Sequence, residues 1–378
     1  MKVLTIDDQT LILLSVEKRL QELGYTVKTA ATGKDGIAIF QSFEPDLVLV
    51  DINMPDMNGL EVVQHIRSIE ENRTPILVMS GNTNEDVIMQ GFDMGVDDYM
   101  KKPVSLNEMV ARIKRLIGSP EIQKTSLSSE ARMLQKHCVG VVIPCYNEEE
   151  RLSSQEFKDF AHKNLGYHLC FVNDGSTDNT LQVLNELRTG HEENISIYDC
   201  AKNGGKAEAV RQGMLHLEQD PQLDYIGFLD ADLSTDFRDF DELVQTLEKS
   251  DFKIVSGSRM SRMGADITKE SARKLISMTI NMIIRTILKM PFNDTQCGAK
   301  IMERDMVKML FTKPFITKWL FDVEIFMRMR KFYGKQQVRQ YICEQPLKRW
   351  IHADGSKLSM KDSVKIVGQL AKIAIAYK

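Results

Sequence analysis

Short apolar runs alternate with amphipathic stretches along residues 1–117, and the same alternation begins again at Val139. Strands separated by helices form parallel sheets with helices on both faces. The carboxyl ends of such strands lie at one edge of the sheet, where ligands bind. The sequence therefore predicts two α/β domains, each with its functional residues in the loops that follow the strands.

Composition excludes several other classes of protein. The chain has 378 residues, of which 43% are hydrophobic and 27% charged, so two ordinary globular domains can be built. The net charge of −4 is not that of a nucleic-acid-binding protein, and we expect no nucleic-acid partner. The six cysteines form no CxxC pair, which is typical of reduced thiols. Polar residues interrupt the most apolar stretch, Leu275–Met290, so we expect a cytoplasmic protein with at most peripheral contact to the inner face of the cell membrane.

Strand and helix signals place the domain boundaries. A polar, serine-containing stretch at Gly118–Gln135 reads as a linker, and Ser105–Glu108 has the pattern of a helix capping box. We expect an N-terminal domain at 1–118, a linker at 119–136, a second domain at 137–346 and a C-terminal helix at 347–378. In the first domain, strands are predicted at Val3–Ile6, Val27–Thr29, Leu47–Val50, Ile76–Met79 and Asp98–Met100. In the second, they are predicted at Val139–Ile143, Leu169–Val172, Ile195–Tyr198, Tyr225–Leu229 and Ile254–Ser256, and the chain after Ser271 is expected to be mainly helical.

Acidic residues end the first and third predicted strands of the N-terminal domain. Asp7, Asp8 and Asp51 should converge at the sheet edge, where close carboxylates need a cation, and oxygen-rich sites of this kind suit Mg²⁺. Ser80 ends the fourth strand and Lys102 follows the fifth. A lysine and a hydroxyl are suited to holding a transferred phosphoryl group.

Together with Asn53 and Tyr99, these residues resemble the complete signature of the response-regulator receiver family. The resemblance covers about residues 1–118 and implies a flavodoxin-like doubly wound sheet, with a sensor histidine kinase or phosphotransfer protein as partner. It implies the following roles: phosphorylation at Asp51; Mg²⁺ bound by Asp7, Asp8, Asp51 and the Asn53 carbonyl; phosphoryl contact by Lys102; and a switch pair formed by Ser80 and Tyr99.

The second domain has its own polar strand ends. These are Pro144–Glu149, Asn173–Asp178 and the Asp-Ala-Asp sequence at Asp230–Asp232. An Asp-x-Asp pair presents carboxylates to a divalent metal, which can neutralise a diphosphate leaving group. Asn203–Lys206 opens a helix, where an anion is favoured, and Gly175 permits close approach of the backbone to a ligand.

This ordered set resembles the GT-A glycosyltransferases of family 2, and more narrowly the dolichyl- or polyprenyl-phosphate sugar synthases. The resemblance spans about residues 137–346 and implies a Rossmann-like nucleotide-diphospho-sugar transferase fold. It implies nucleotide-sugar contacts at Pro144, Tyr146, Glu148, Asp174, Lys206, Asp230 and Gln296; Mg²⁺ or Mn²⁺ at Asp232; acceptor-phosphate contacts at Arg259, Arg273 and Ser277; and catalytic roles for Asp232, Asp322 and Glu324.

The donor and the acceptor stay open at this level. Mannosyl-type members have Gln two residues beyond the second Asp of the pair, and Ser234 stands here, which favours UDP-glucose over GDP-mannose. A polyprenyl phosphate is already a nucleophilic anion, so direct displacement with inversion needs positioning rather than a strong base. A glycan or protein hydroxyl acceptor would need a base, for which Asp322 is the candidate. A non-enzymatic scaffold that senses nucleotide-sugar is a further alternative.

The C-terminal segment is a predicted basic amphipathic helix. Lys357, Lys361 and Lys365 share one face, and Val367 and Leu370 lie on another. The helix would lie on an anionic membrane, or pack its apolar face on the protein core or on a second copy in a homodimer or higher oligomer. Phosphorylation of the first domain is expected to control the second by repacking the surface around the switch residues.

Overall fold

The structure is a computed structural model that describes all residues except 70–72, 82–84, 121–132, 153, 260–265, 268–281, 351–359 and 378. It divides into two compact units. The N-terminal unit contains Met1–Cys138 together with Asp159–Tyr167, and the C-terminal unit contains Val139–Lys158 and His168–Lys378.

The N-terminal unit is built on a parallel five-stranded sheet with the order β2-β1-β3-β4-β5. This is the flavodoxin-like order expected from the sequence. The strands are β1 (Lys2–Ile6), β2 (Thr26–Ala30), β3 (Leu47–Asp51), β4 (Ile76–Ser80) and β5 (Asp98–Lys101). The helices are α1 (Thr10–Glu22), α2 (Gly33–Phe43), α3 (Gly59–Arg67), α4 (Glu85–Asp93) and α5 (Leu106–Ile117).

Both faces of this sheet are buried, and strand alternation explains how. Leu47 and Leu49 of β3 enter one apolar cluster, with α1 and α5. Val48 and Val50 enter the other, with α2 and α3. Successive side chains of a strand point to opposite faces, so a continuously apolar run such as β3 fits a central parallel strand covered on both sides.

The end of the N-terminal unit contains a short antiparallel pair. β6 (Val104–Ser105) pairs with the beginning of β7 (Met133–Cys145), in the register Val104↔Leu134 and Ser105↔Met133. The last residues of the predicted linker are therefore strand. The Ser105 hydroxyl also accepts a hydrogen bond from the Glu108 amide at 3.0 Å, which confirms the predicted N-cap of α5.

The C-terminal unit is built on a mixed sheet with the order β14-β11-β13-β10-β7-β8-β9. β13 runs antiparallel to both β10 and β11, whereas β10–β7, β8–β9 and β11–β14 are parallel pairs. Beyond β7, the strands are β8 (Asn164–Asn173), β9 (Ile195–Asp199), β10 (Tyr225–Leu229), β11 (Ile254–Ser258), β13 (Ala299–Glu303) and β14 (Ile342–Pro346). β12 (Asp266–Ile267) and β15 (Arg349–Trp350) form a separate two-stranded pair. This α/β arrangement is consistent with the expected GT-A class.

The remaining helices follow in chain order, and the second half of the first of them, from Asp159 onward, belongs to the N-terminal unit. They are α6 (Ser154–Lys163), α7 (Thr180–Arg188), α8 (Lys206–Glu218), α9 (Phe237–Glu248), α10 (described over residues 282–288), α11 (Arg304–Phe311), α12 (Phe321–Tyr333) and α13 (Met360–Ala376), with a 3₁₀ turn at Gln337–Gln340. All six cysteines lie among the described residues as thiols outside any disulfide bond, and four of them are buried.

The described residues after Ser271 are mainly helical, as expected, but they also include short strands. β13 and β14 both join the sheet of the C-terminal unit. Their sequences, Ala-Lys-Ile-Met-Glu and Ile-Cys-Glu-Gln-Pro, contain charged residues and are neither uniformly apolar nor cleanly alternating. Tertiary pairing therefore decides their conformation where the local pattern does not.

Candidate functional site

Two aspartates and a lysine meet at the carboxyl edge of the N-terminal sheet. Asp7 follows β1, Asp51 ends β3 and Lys102 follows β5. The Lys102 Nζ lies 2.7 Å from Asp7 Oδ2 and 3.1 Å from Asp51 Oδ1, and each of the three residues is at most 4% exposed. The structure thus brings together the predicted acceptor and the predicted phosphoryl-contacting lysine.

The charge at this edge is not balanced by the lysine alone. Burial, together with the neighbouring carboxylates of Asp7 and Asp51, raises the pKa of Asp8 to about 6. Burial also raises the pKa of Asp51, although Lys102 opposes that shift. Three carboxylates facing one lysine form a donor set that suits a hard cation such as Mg²⁺.

The expected magnesium coordination itself stays a prediction. In the part of the chain that the structure describes, no group of three or more His, Cys, Asp or Glu side chains is arranged to hold a metal ion. Lys102 lies between two of the expected ligands. Asn53 is exposed, and its backbone amide donates a hydrogen bond to Asp51 Oδ2 at 3.0 Å.

The two residues of the expected switch pair lie on neighbouring strands, and their role as a switch stays a prediction. Ser80 is fully buried at the end of β4, and Tyr99 of β5 is half-buried against the sheet core. Gly59 was not singled out from the sequence. A Cβ there would lie 2.1 Å from the Asp51 carbonyl oxygen, so the backbone beside the acceptor requires glycine.

In the C-terminal unit, the loops after β7 and β8 are tied to each other. The Glu148 amide donates to Thr180 Oγ1 at 2.8 Å, and the Asn147 amide donates to Ser176 Oγ at 3.1 Å. Burial raises the pKa of Glu148, and Asp232, Asp178 and Asp230 raise it further against the opposing effect of Arg151. Pro144 lies in β7, and the adjacent Tyr146 is 45% exposed. Hydrogen bonds therefore fix the predicted nucleotide loop in position, and carboxylates surround it with negative charge.

Asp174 organises a second loop. Its carboxylate accepts hydrogen bonds from the Gly204 and Gly205 amides, both at 2.8 Å. Gly175 has φ +61°, and a Cβ there would meet the Asn203 amide nitrogen at 2.6 Å. The close approach that Gly175 allows is thus to the chain itself, where the sequence had suggested a ligand. Together these contacts fix the start of α8, and with it Lys206.

Lys206 and Asp230 form an ion pair at this edge. The Lys206 Nζ lies 2.5 Å from Asp230 Oδ1, and the lysine side chain stays 42% exposed. A Cβ on Gly298 would lie 2.0 Å from Asp230 Oδ2, so the Gln-Cys-Gly sequence is shaped to admit this carboxylate. Asp232 is exposed, and its Oδ1 accepts from the Ser234 amide at 2.9 Å.

A buried lysine that the sequence analysis missed lies behind this pair. Lys300 of β13 is fully buried, and its Nζ lies 2.6 Å from Asp322 Oδ1 and donates to the Cys297 carbonyl at 2.7 Å. Burial raises the pKa of Asp322, Lys300 and Lys206 lower it, and Asp230 raises it. Asp322 is therefore close enough to the Lys206–Asp230 pair to be coupled to it electrostatically.

Glu324 has a different environment from Asp322, although both belong to the first turns of α12. Its side chain is fully buried and accepts hydrogen bonds from the Ile316 and Thr317 amides, both at 3.0 Å. Residues two apart on a helix point in different directions. The structure therefore places Glu324 under the preceding loop, and the catalytic role expected for it stays a prediction.

The predicted acceptor-phosphate residues are only partly described. Arg259 is held by Asp294, with Nε and Nη2 donating at 2.6 Å and 2.8 Å. Arg273 and Ser277 lie outside the described residues. Gln296 is half-buried, and its amide donates to Asp294 Oδ1 at 3.2 Å.

Glu344 supports the Asp294 loop and was also missed. Its carboxylate accepts from the Ser258 hydroxyl at 2.8 Å and from the backbone amides of Asn293 and Asp294, the latter at 2.6 Å. Arg259 is thus fixed by two successive carboxylates. The sequence did not indicate Glu344, because β14 was not predicted as a strand and the partners of this acid are distant in the chain.

The C-terminal helix uses part of its apolar face within the protein. Leu370 and Ile373 of α13 are fully buried, whereas Val367 and Ile375 are 45% and 76% exposed. The Tyr377 hydroxyl accepts from Arg328 Nε at 2.9 Å. Of the two alternatives for this helix, packing on the protein is realised at these positions. Within the described residues, no helix combines the length and apolarity needed to cross a membrane.

Comparison with known proteins decides the family. Residues 3–114 match the response regulator receiver domain family, and residues 140–311 match glycosyl transferase family 2. A dolichyl-phosphate beta-glucosyltransferase of Trichomonas vaginalis, ALG5A, is 31% identical over 64% of this chain and 74% of its own length.

The chain belongs to glycosyltransferase family 2 and carries a receiver domain.

Two further relatives are similar to this receiver-linked glycosyltransferase. The dolichyl-phosphate beta-glucosyltransferase of Dictyostelium discoideum is 28% identical over 68% of this chain and 79% of its own length. The cell cycle transcriptional regulator CtrA of Caulobacter vibrioides is 37% identical over 58% of this chain and 92% of its own length. The enzyme is a glycosyltransferase, which removes the alternative of a non-enzymatic scaffold.

Proposed function

We propose that this glycosyltransferase moves glucose from UDP-glucose to a polyprenyl phosphate, with inversion at the anomeric carbon, under the control of phosphorylation at Asp51. The observation that carries the proposal is the convergence of Asp230, Lys206 and Asp322 beside the Asp-Thr-Gln-Cys-Gly sequence. Relatives named as dolichyl-phosphate beta-glucosyltransferases support both the sugar and the class of acceptor.

The charges of the site favour an acceptor that is already an anion. Lys206 is exposed and pairs with one carboxylate, so an arriving phosphate can compete for it. Burial raises the pKa of Asp322, but the ion pair with buried Lys300 lowers it, so Lys300 opposes the use of Asp322 as a base for a hydroxyl. A phosphate oxyanion needs no base, and direct displacement of the diphosphate by that oxyanion inverts the anomeric configuration.

A divalent cation fits the exposed carboxylate of Asp232 by charge and donor type. When bound there it would neutralise charge on the diphosphate leaving group. The protein's own residues hold the rest of the arrangement. Asp174 fixes the glycine loop before Lys206, and Gly298 leaves room for Asp230.

Control by phosphorylation is proposed from the receiver half. Lys102 contacts Asp51 directly, and the chain runs from Lys102 through Pro103 into β6, which pairs with the first residues of β7. β7 ends at Cys145, immediately before the Tyr146–Glu148 loop. A phosphoryl group on Asp51 adds charge at the first of these points, and a two-state response of Ser80 and Tyr99 would change the packing around β5. A sensor histidine kinase or phosphotransfer protein is the corresponding partner.

A donor-by-acceptor screen tests the proposed reaction. Purified full-length protein is incubated with UDP-glucose or GDP-mannose, and with undecaprenyl phosphate or a glycan acceptor. We expect glucosyl transfer to the lipid phosphate, lost in Asp232→Ala and in Gly298→Ala, since the added methyl group displaces Asp230. Gly368→Ala is the matched control, because no atom of the described residues beyond its own helix backbone lies within 4 Å of its new Cβ. Transfer from GDP-mannose alone, or to the glycan alone, would overturn the proposal.

A further inference from the structure

The loop between α11 and α12, Thr312–Leu320, presents apolar side chains to solvent. Trp319 is 72% exposed and Ile316 is 45% exposed. Lys313 and Lys318 are exposed as well, and the nine residues include no acid. Single exposed apolar residues are common on protein surfaces. Here an exposed tryptophan and an exposed isoleucine lie with two lysines in one short loop, which forms a surface both apolar and positively charged.

This loop is held firmly from below. Arg328 donates to the carbonyl oxygens of Lys313 and Pro314, both at 2.8 Å. The Phe315 ring packs against the Arg328 guanidinium, whose central carbon lies 4.4 Å from the ring centroid. Buried polar side chains thus satisfy backbone groups of the loop, and its outward side chains are preorganised rather than free to fold back.

Glu324 fixes the middle of the same loop through the Ile316 and Thr317 amides. Thr317 and Leu320 are buried while Trp319 and Ile316 are not, so the loop separates an inner face from an outer one. The hydrogen bonds that fix the loop backbone therefore keep Trp319 on the solvent side.

The Thr312–Leu320 loop also lies beside the candidate site. A Cβ on Gly205 would be 3.3 Å from the Lys318 side chain, and the next residue, Lys206, pairs with Asp230. Lys318 of the loop therefore lies next to the residue that precedes Lys206, the lysine proposed to meet the acceptor phosphate.

We propose that the Thr312–Leu320 loop is a membrane-contacting surface that rests in the headgroup region of an anionic phospholipid bilayer. Trp319 and Ile316 would enter the interface, where the amphipathic indole ring is favoured, and Lys313 and Lys318 would lie against lipid phosphates. The positive charge of the loop complements that surface. This inference rests on the proposed lipid-phosphate acceptor, because such an acceptor must be taken from a bilayer.

Tryptophan fluorescence provides a direct test, since the chain contains only Trp319 and Trp350. The full-length Trp350→Phe protein reports on Trp319 alone. We expect its emission to shift to the blue, and acrylamide quenching to fall, on vesicles of phosphatidylcholine with phosphatidylglycerol. Both effects should weaken on phosphatidylcholine alone and at high salt, which screens the lysines. Unchanged fluorescence on anionic vesicles would overturn the inference, as would a shift that depends only on protein concentration, which would indicate a second copy.

Vesicle sedimentation adds a matched pair of variants. Trp319→Ser should lower affinity for the anionic vesicles by roughly tenfold, as expected when one large apolar side chain is withdrawn from the interface. Phe332→Ser removes another exposed aromatic, 66% exposed in α12, and should leave binding unchanged. Equal binding by the two variants would contradict the assignment of the loop.

Activity separates this inference from the proposed reaction. In detergent micelles that contain polyprenyl phosphate, Trp319→Ser should transfer sugar as the unaltered protein does, and on vesicles it should be slower. Equal vesicle activity would count against the loop. Failure of the unaltered protein to transfer sugar in detergent would count against the proposed reaction, while the fluorescence result would still decide the loop.

Discussion

The two candidate sites use lysine against aspartate in different ways. In the N-terminal unit one buried lysine, Lys102, is shared by Asp7 and Asp51. In the C-terminal unit Asp230 and Asp322 have separate lysines, Lys206 and Lys300 respectively. In the first arrangement two carboxylates share one lysine, and in the second each of the two carboxylates has a lysine of its own.

This difference teaches what each site is prepared to receive. Excess carboxylate charge around Asp51 is relieved by a cation, and Lys102 is within reach of a group attached to that carboxylate. In the transferase site, the fully buried Lys300 is a permanent counter-ion, whereas the 42% exposed Lys206 can exchange its partner for a ligand. The two lysines differ in burial. We infer that Lys300 serves as a structural counter-ion and that Lys206 contacts the ligand.

The largest effect is expected from Asp51→Asn, which removes the proposed phosphorylation site. Incorporation of phosphate from acetyl phosphate with Mg²⁺ should be lost completely, since an amide is not a nucleophile of comparable strength. Phosphate-affinity electrophoresis measures the product. Asp56→Asn, an exposed acid five residues further along the chain, is the control and should label normally. Labelling of the Asp51→Asn protein would show that the acceptor lies elsewhere.

Lys300→Met tests the permanent counter-ion. Lys300 lowers the pKa of Asp322, so its removal should raise that pKa further. If transfer needs ionised Asp322, the acid limb of the pH–rate profile moves to higher pH. Breaking a buried pair costs about 3–5 kcal/mol when one charge is left unpaired.

The pH dependence of stability gives Lys300→Met a second measurement. A carboxyl group whose folded pKa is raised binds its proton more tightly in the folded state. Relative stability therefore falls as pH rises from the ordinary aspartate pKa toward the raised one. Thermal unfolding should show the Lys300→Met defect growing across that window and shrinking in acid. Lys308→Met, on the surface of α11, is the control, and a pH-independent defect would contradict the account.

The sequence predicted which side chains meet at the N-terminal sheet edge because one rule applies to them. Asp7, Asp51 and Lys102 each follow a parallel strand, and parallel strands end at one edge of a sheet. The predicted bounds of the five strands lie within two residues of the observed ones, and the runs of β3 and β4 are continuously buried. The flavodoxin-like order then brings the three side chains together.

The transferase site shows where that rule stops. Lys300 and Glu344 lie on β13 and β14, whose sequences gave no strand signal, and both pair with strands distant in the chain. The Asp174 carboxylate accepts hydrogen bonds from the Gly204 and Gly205 amides, a contact that the sequence did not indicate, and the nucleotide contact expected for it stays a prediction. A sequence shows which residues are chemically able to act, but only the packed chain shows which of them already have partners.

The smallest of the three effects is expected from Glu344→Gln, which weakens the support of Arg259 without touching the arginine. Glu344 accepts from the Asn293 and Asp294 amides and from the Ser258 hydroxyl. An amide side chain has one acceptor oxygen, so at least one donor would face an NH₂ group. Hydrogen bonds to a charged group contribute about 1.5–3 kcal/mol each, and a loss of that order in the free energy of unfolding is expected.

Kinetics can separate a positioning role for Glu344 from a purely structural one. If Asp294 and Glu344 together aim Arg259 at the acceptor, Glu344→Gln should raise KM for the lipid phosphate while the donor Kd stays unchanged. Glu303→Gln breaks a half-exposed pair with Lys253 of 2.7 Å, which should contribute less than about 1 kcal/mol and leave both constants unchanged. A rise in donor Kd with constant acceptor KM would place Arg259 on the nucleotide side. In that case Arg259, which is held through Asp294 and Glu344, would share the donor side of the site with Lys206, and the acceptor role assigned to it would be wrong.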